Sequence, residues 1–149
     1  MILDERTEFA DATALSTAGT GRALVGDVID LGAVSQDIGT GEPMYLVIQV
    51  DTAVTSAGAA TVKFELSSDA QAAIATDGTA TVHVATADIA KATLVAGYLV
   101  VAVQLPPGAY ERYLGIVQNV GTAALTAGKV NAFLTHDISK WVAYPDAVN

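Results

Sequence analysis

Residues able to do chemistry are few in this chain, and they are scattered. His83 and His136 are the only histidines. His136 precedes Asp137, and a carboxylate beside an imidazole can fix its tautomer. Neighbours on a strand point to opposite faces, however, so this pair is poorly placed to bond. No Gly-x-Ser-x-Gly elbow or other nucleophile setting accompanies it. His83 falls on the polar side of a strand over Thr79–Thr86 and is expected to be solvated. Paired carboxylates occur at Asp4/Glu5, Glu8/Asp11 and Asp27/Asp30, as any acidic chain provides by chance. No calcium loop of the D-x-[DN]-x-[DN]-G type is present. Gly19-Thr20-Gly21 and Gly39-Thr40-Gly41 extend to neither a dinucleotide fingerprint nor a Walker lysine, so they read as turns. Tyr45, Tyr98, Tyr110 and Tyr113 are either a carbohydrate-stacking platform or, preferably, core and interface aromatics. No enzyme activity, cofactor or metal is expected.

The elements that would carry these residues are strands. Thr61–Ser67 alternates Val62, Phe64 and Leu66 with Thr61, Lys63, Glu65 and Ser67. Met44–Asp51 sets Met44, Leu46, Ile48 and Val50 against Tyr45, Val47, Gln49 and Asp51, which predicts a central strand or one covered on both faces. Tyr98–Leu105 reads in the same way. Val25–Leu31, Thr79–Thr86, Arg112–Val120 and Lys129–Thr135 follow, and Glu8–Leu15 fits an edge strand or a short helix. Gln71–Ala75 and Ala87–Ala92 are the best helical candidates, each short enough to be a turn. Ser16–Arg22 and Thr52–Ala60 read as loops, and Pro106, Pro107 and Gly108 punctuate the chain before the strand at Arg112. The fold predicted is all-β: an antiparallel β-sandwich of about eight strands, the jelly-roll number. Periodicity alone fits other Greek-key sandwiches equally.

Composition narrows the function. The 149 residues fit one domain, 1–149, with a short N-terminal arm and an aromatic C-terminal tail over about 138–149 that bears Trp141 and Tyr144. That tail either packs on its own domain or docks on a neighbour. Only 15% of residues are charged, low for a freely solvated surface, so part of the surface is expected to be covered by a partner. A net charge of −9 with seven scattered basic residues disfavours nucleic acid. No apolar run reaches the length of a membrane span, and Met1-Ile2-Leu3 followed by Asp4 and Glu5 does not read as a signal peptide. Without cysteine there is no disulfide, thiolate zinc site or thiol catalysis.

Several segments in order resemble the capsid cement, or decoration, proteins of short-tailed bacteriophages. They are Val28-Ile29-Asp30-Leu31-Gly32, Asp37-Ile38-Gly39-Thr40-Gly41-Glu42-Pro43, and Gln49-Val50-Asp51-Thr52. Leu105-Pro106-Pro107-Gly108, Glu111-Arg112-Tyr113-Leu114, Ala127-Gly128-Lys129-Val130 and Tyr144-Pro145 continue the series, while Ser67–Leu94 carries no matching motif. The resemblance implies a jelly roll on the outer capsid surface of a virion, made in the bacterial host cytoplasm. It implies an oligomer (homodimer or homotrimer) that clamps neighbouring copies of the major capsid protein. Glu111, Arg112 and Tyr113 are expected to anchor a corner, with Arg112 paired to a carboxylate, and these three with Trp141 and Tyr144 are the candidate capsid or subunit contacts. The alternative is a carbohydrate-binding sandwich module of a virion. A cupin-like metal enzyme would need clustered histidines, and the two present are far apart in sequence.

Overall fold

A computed structural model describes residues 4–38 and 41–138. A single 3-10 turn, Glu5–Thr7, capped by the Asp4 carboxylate, leads into the strands β1 (Glu8–Ala14), β2 (Gly21–Ile38), β3 (Tyr45–Thr55) and β4 (Thr61–Asp69). Then come β5 (Thr81–Ala85), the two-residue β6 (Ile89–Ala90), β7 (Leu99–Gln104), β8 (Gly108–Gly121) and β9 (Ala127–Thr135). One sheet has the order β1-β9-β3-β7, and the other β2-β8-β4-β5, with β6 also on β4. All pairings are antiparallel. β5 and β6 pair with successive parts of β4 and share one strand position, so eight positions make two facing sheets. Successive strands alternate between the sheets except at the β4–β5 hairpin, which is the jelly-roll order.

Period-2 alternation builds the core. Val62, Phe64 and Leu66 of β4 meet Leu46, Ile48 and Val50 of β3 between the sheets, with Leu114, Ile116 and Val120 of β8 and Val130, Ala132 and Leu134 of β9. β3 lies between β9 and β7 and is buried continuously from Leu46 to Val50, as a strand apolar on both faces requires. Buried Gln118 breaks the apolar run of β8. Its side-chain amide donates to the Ser16 carbonyl and its oxygen accepts from the Ser16 N–H, fixing the loop after β1.

Several expectations are corrected, and some open alternatives are decided. Gln71–Ala75 forms no helix: the Asp69 carboxylate accepts from the Gln71 and Ala75 N–H groups and organises a bend instead. Ala87–Ala92 is not helical either but contains β6. Thr52–Thr55 belongs to β3 rather than to a loop. Glu8–Leu15 resolves as an edge strand. β7, which reads like β3, is an edge strand with alternately exposed residues. The loop after β4 brings Ile74 against Gly115 on the outer face of its sheet, and Glu65 and Ser67 are buried as well. Burial pushes the Glu65 carboxyl up, but hydrogen bonds from Arg22 and Lys63 outweigh it and hold the group below the usual carboxylate range.

Candidate functional site

The predicted corner is the start of β8. Tyr110 is fully buried and its hydroxyl donates to the Pro106 carbonyl at 2.7 Å, tying the strand to the proline turn before it. His83 stacks on the Tyr110 ring with centroids 3.8 Å apart and an angle of 22°. The same imidazole has Nε2 2.7 Å from Ser68 Oγ, which also accepts the Glu111 N–H. Thr81 Oγ1 donates weakly to Glu111 Oε1 at 3.4 Å. Arg112 makes two bonds of 2.8 Å to the Asp30 carboxylate, and its guanidinium lies over the Tyr113 ring, 5.0 Å from the centroid. Strands β2, β4 and β5 therefore all make contacts with the start of β8, where Glu111, Arg112 and Tyr113 are each half-exposed.

His83 corrects the reading of a solvated polar-face histidine. Leu66 pairs with Val84 and Ser67 with Val82, so β5 spends one extra residue there, and that residue is His83. Such a bulge re-aims a side chain that simple alternation would place elsewhere. Burial lowers the His83 pKa, with Glu111 pulling in the opposite direction. The lowered pKa favours the neutral ring, in which Ser68 can accept from the Glu111 N–H while donating to Nε2. The 2.7 Å separation is that of a nucleophile and its base. Ser68 has no exposed surface, however, so an electrophile cannot reach it in this conformation.

A pH prediction follows. A histidine with a lowered folded pKa leaves stability intact above its unfolded value of about 6.5. As pH falls below that, the unfolded chain takes up the proton first, and stability is lost until the folded pKa is passed. The urea midpoint of the native protein should fall from pH 7.5 to pH 5 more steeply than that of His83→Gln. Equal slopes would show that the ring is not held neutral.

The Arg112–Asp30 pair is solvent-facing on both sides. Arg112, with help from the Gly32 N–H, holds the Asp30 carboxyl down to about 2. Its contribution is present above the ordinary carboxylate range and is lost as pH falls through about 2. Asp30 also lines a cleft of about 450 Å³ at the β1–β2 side with Glu5, Arg6, Glu8 and Asp27. Both members of the Asp27/Asp30 pair thus meet one member of each other pair, Glu5 and Glu8, which their separation in sequence did not reveal. Burial raises the Glu8 pKa, and Asp11 and Glu5 add to the rise. Among the described residues no group of three or more acidic or histidine side chains is arranged to hold a metal.

The remaining candidates are dispersed. His136 is exposed, with Nδ1 3.0 Å from the Pro43 carbonyl. Gly19-Thr20-Gly21 runs directly into β2 and precedes no helix. Gly39 and Thr40, like Trp141 and Tyr144, lie outside the described residues. The tyrosines do not share a platform: Tyr110 is in the core, Tyr98 packs against it, and Tyr113 lies under Arg112. The carboxylate partner of Arg112, 82 residues away, and the Ser68 contact of His83 carry no local signal in sequence.

The model of one protein family, Bbp16, matches residues 9–134, which runs from β1 to the end of β9. The chain belongs to the Bbp16 family. The family is phage-related, in agreement with the origin implied by the sequence resemblance. A comparison with curated proteins found no match. In this Bbp16-family chain the matched region includes β8 with Glu111, Arg112 and Tyr113, and it ends before the aromatic tail.

Proposed function

We propose that this Bbp16-family protein is a structural virion component that binds the outer capsid surface and cements neighbouring major capsid proteins. One observation carries the reading: the charged and aromatic groups at the start of β8 are held at the surface by backbone and side-chain ties from three neighbouring strands, β2, β4 and β5. Arginine and tyrosine on a rigid support lose little freedom on binding, and both are enriched among residues that dominate protein interfaces. A two-sheet body that presents such a patch suits a clamp, whose work is to hold two surfaces in fixed relation. The phage-related family supports the setting.

The experiment is to mix purified protein with undecorated capsids and measure attachment by co-sedimentation. Saturable, stoichiometric attachment is expected. Arg112→Ala should fold normally, because the lost ion pair is exposed, yet bind capsids at least about tenfold more weakly, as loss of an interface hot spot would produce. Native-like attachment by Arg112→Ala would remove the corner from the contact. Absence of attachment by the native protein would end the cement reading.

A further inference from the structure

The edge strand β7 has the sequence Leu99-Val100-Val101-Ala102-Val103-Gln104, and the whole stretch 92–110 contains no charged residue. It is apolar on both faces like central β3, yet among the described residues it pairs on one side only. Natural edges are usually blunted by charge, bulges or brevity. The other edges here follow that rule. β1 carries Glu8 and Asp11 and two register breaks, while β2 carries Arg22, Asp27 and Asp30 and two breaks. β5 has five residues and the His83 bulge. β7 has a single irregularity, at Val100, and then runs regularly to Gln104.

Its free hydrogen-bonding groups can be located. The Leu105 N–H donates to the Met44 carbonyl. With the register Leu46↔Val103 and Ile48↔Val101, residues 101, 103 and 105 bond to β3. Ala102 and Gln104 therefore aim their N–H and C=O groups away from the sheet, and both residues are exposed. Val95 and Leu99, two of the three most exposed large hydrophobic side chains among the described residues, flank this edge at 52% and 43%.

We infer that β7 is a self-association strand: it pairs antiparallel with β7 of a second copy about a twofold axis, joining two four-stranded sheets into one. Charge selects the occupant. Two bodies of net charge −9 repel wherever their acidic surfaces face, and this neutral edge allows approach without opposing carboxylates. A basic partner would be drawn instead to the β1–β2 side, where Glu5, Glu8 and Asp27 cluster. A strand is also self-complementary about a twofold, with each copy giving and receiving the same bonds. The inference stands on the β7 edge and not on capsid attachment, so it is tested without capsids.

Sedimentation velocity of the full chain should report a dimer of about 30 kDa from a 15.2 kDa chain. Raising NaCl should strengthen it as repulsion between the bodies is screened. Ala102→Glu, which adds a carboxylate to each side of the seam, should raise the dimer Kd on the order of 100-fold. Ala102→Pro, which deletes an outward donor and no bond to β3, should do likewise. Hydrogen exchange on the native protein gives a readout independent of these variants: the 102 and 104 amides should be as protected as those of 101 and 103. A trimer, a dimer that weakens with salt, or dimers unaffected by both substitutions would overturn the inference. So would a monomer, including one with slowly exchanging 102 and 104 amides, which would assign the edge to the chain's own residues 139–149. Failure of capsid binding by an intact β7 dimer would count against the cement reading alone.

Discussion

Gly26→Ala is expected to destabilise this protein by about 3 kcal/mol or more, among the largest effects of any single methyl group in the fold. Gly26 sits in β2 with φ +67, where the register slips between Val25↔Ile116 and Ile29↔Leu114. A Cβ placed there would lie 1.9 Å from the Phe9 carbonyl oxygen and 3.0 Å from the Phe9 carbonyl carbon. Those are backbone atoms of β1, so no rotamer change relieves the overlap. The two edge strands must part, and Phe9 and Ala10 lose the packing that now buries them. Gly97→Ala supplies the comparison. Gly97 has φ +81 but nothing within 4 Å of an added methyl, so only the backbone penalty of about 1 kcal/mol applies. Urea unfolding followed by circular dichroism measures both. If the two variants lost equal stability, the β1–β2 seam would not be the rigid contact described.

The same glycine shows why part of this fold is readable from sequence and part is not. Strands with strict alternation, such as Thr61–Ser67, announce themselves, because period 2 and the pleat are one geometry. β2 runs from Gly21 to Ile38, yet only Val25–Leu31 reads as a strand, since two register breaks interrupt its period. His83 is misplaced by alternation for a related reason: one extra residue in β5 turns it toward Ser68 and Tyr110. β7 misleads differently, because apolar residues on both faces signal a covered strand and say nothing of which chain covers it. The site is half legible. Arg112 needs a carboxylate by its chemistry, but only the antiparallel pairing of β2 with β8, which sets Asp30 opposite Tyr113, identifies Asp30. The fold of the post-β4 loop onto Gly115 likewise depends on long-range packing.

Tyr110→Ala should cost about 3–5 kcal/mol, the range for truncating a fully buried aromatic ring. Tyr110→Phe should cost only about 1 kcal/mol, the value of one neutral hydrogen bond. Tyr110 is 1% exposed, and burial raises its pKa, so the hydroxyl stays protonated and donates to Pro106. The phenylalanine variant keeps the ring under His83 and loses only the tether. The alanine variant removes the ring that supports His83, and with it the packing that holds Ser68 beneath the Glu111 N–H. The patch and the core are therefore coupled through one side chain. Capsid attachment provides the discriminating readout, taken at a temperature where both variants are folded. Tyr110→Phe should attach like the native protein, whereas Tyr110→Ala should attach more weakly even when folded, because Glu111, Arg112 and Tyr113 would have lost the support beneath them. Native-like attachment by folded Tyr110→Ala would mean that the patch needs no rigid base, and preorganisation would no longer explain how this surface binds.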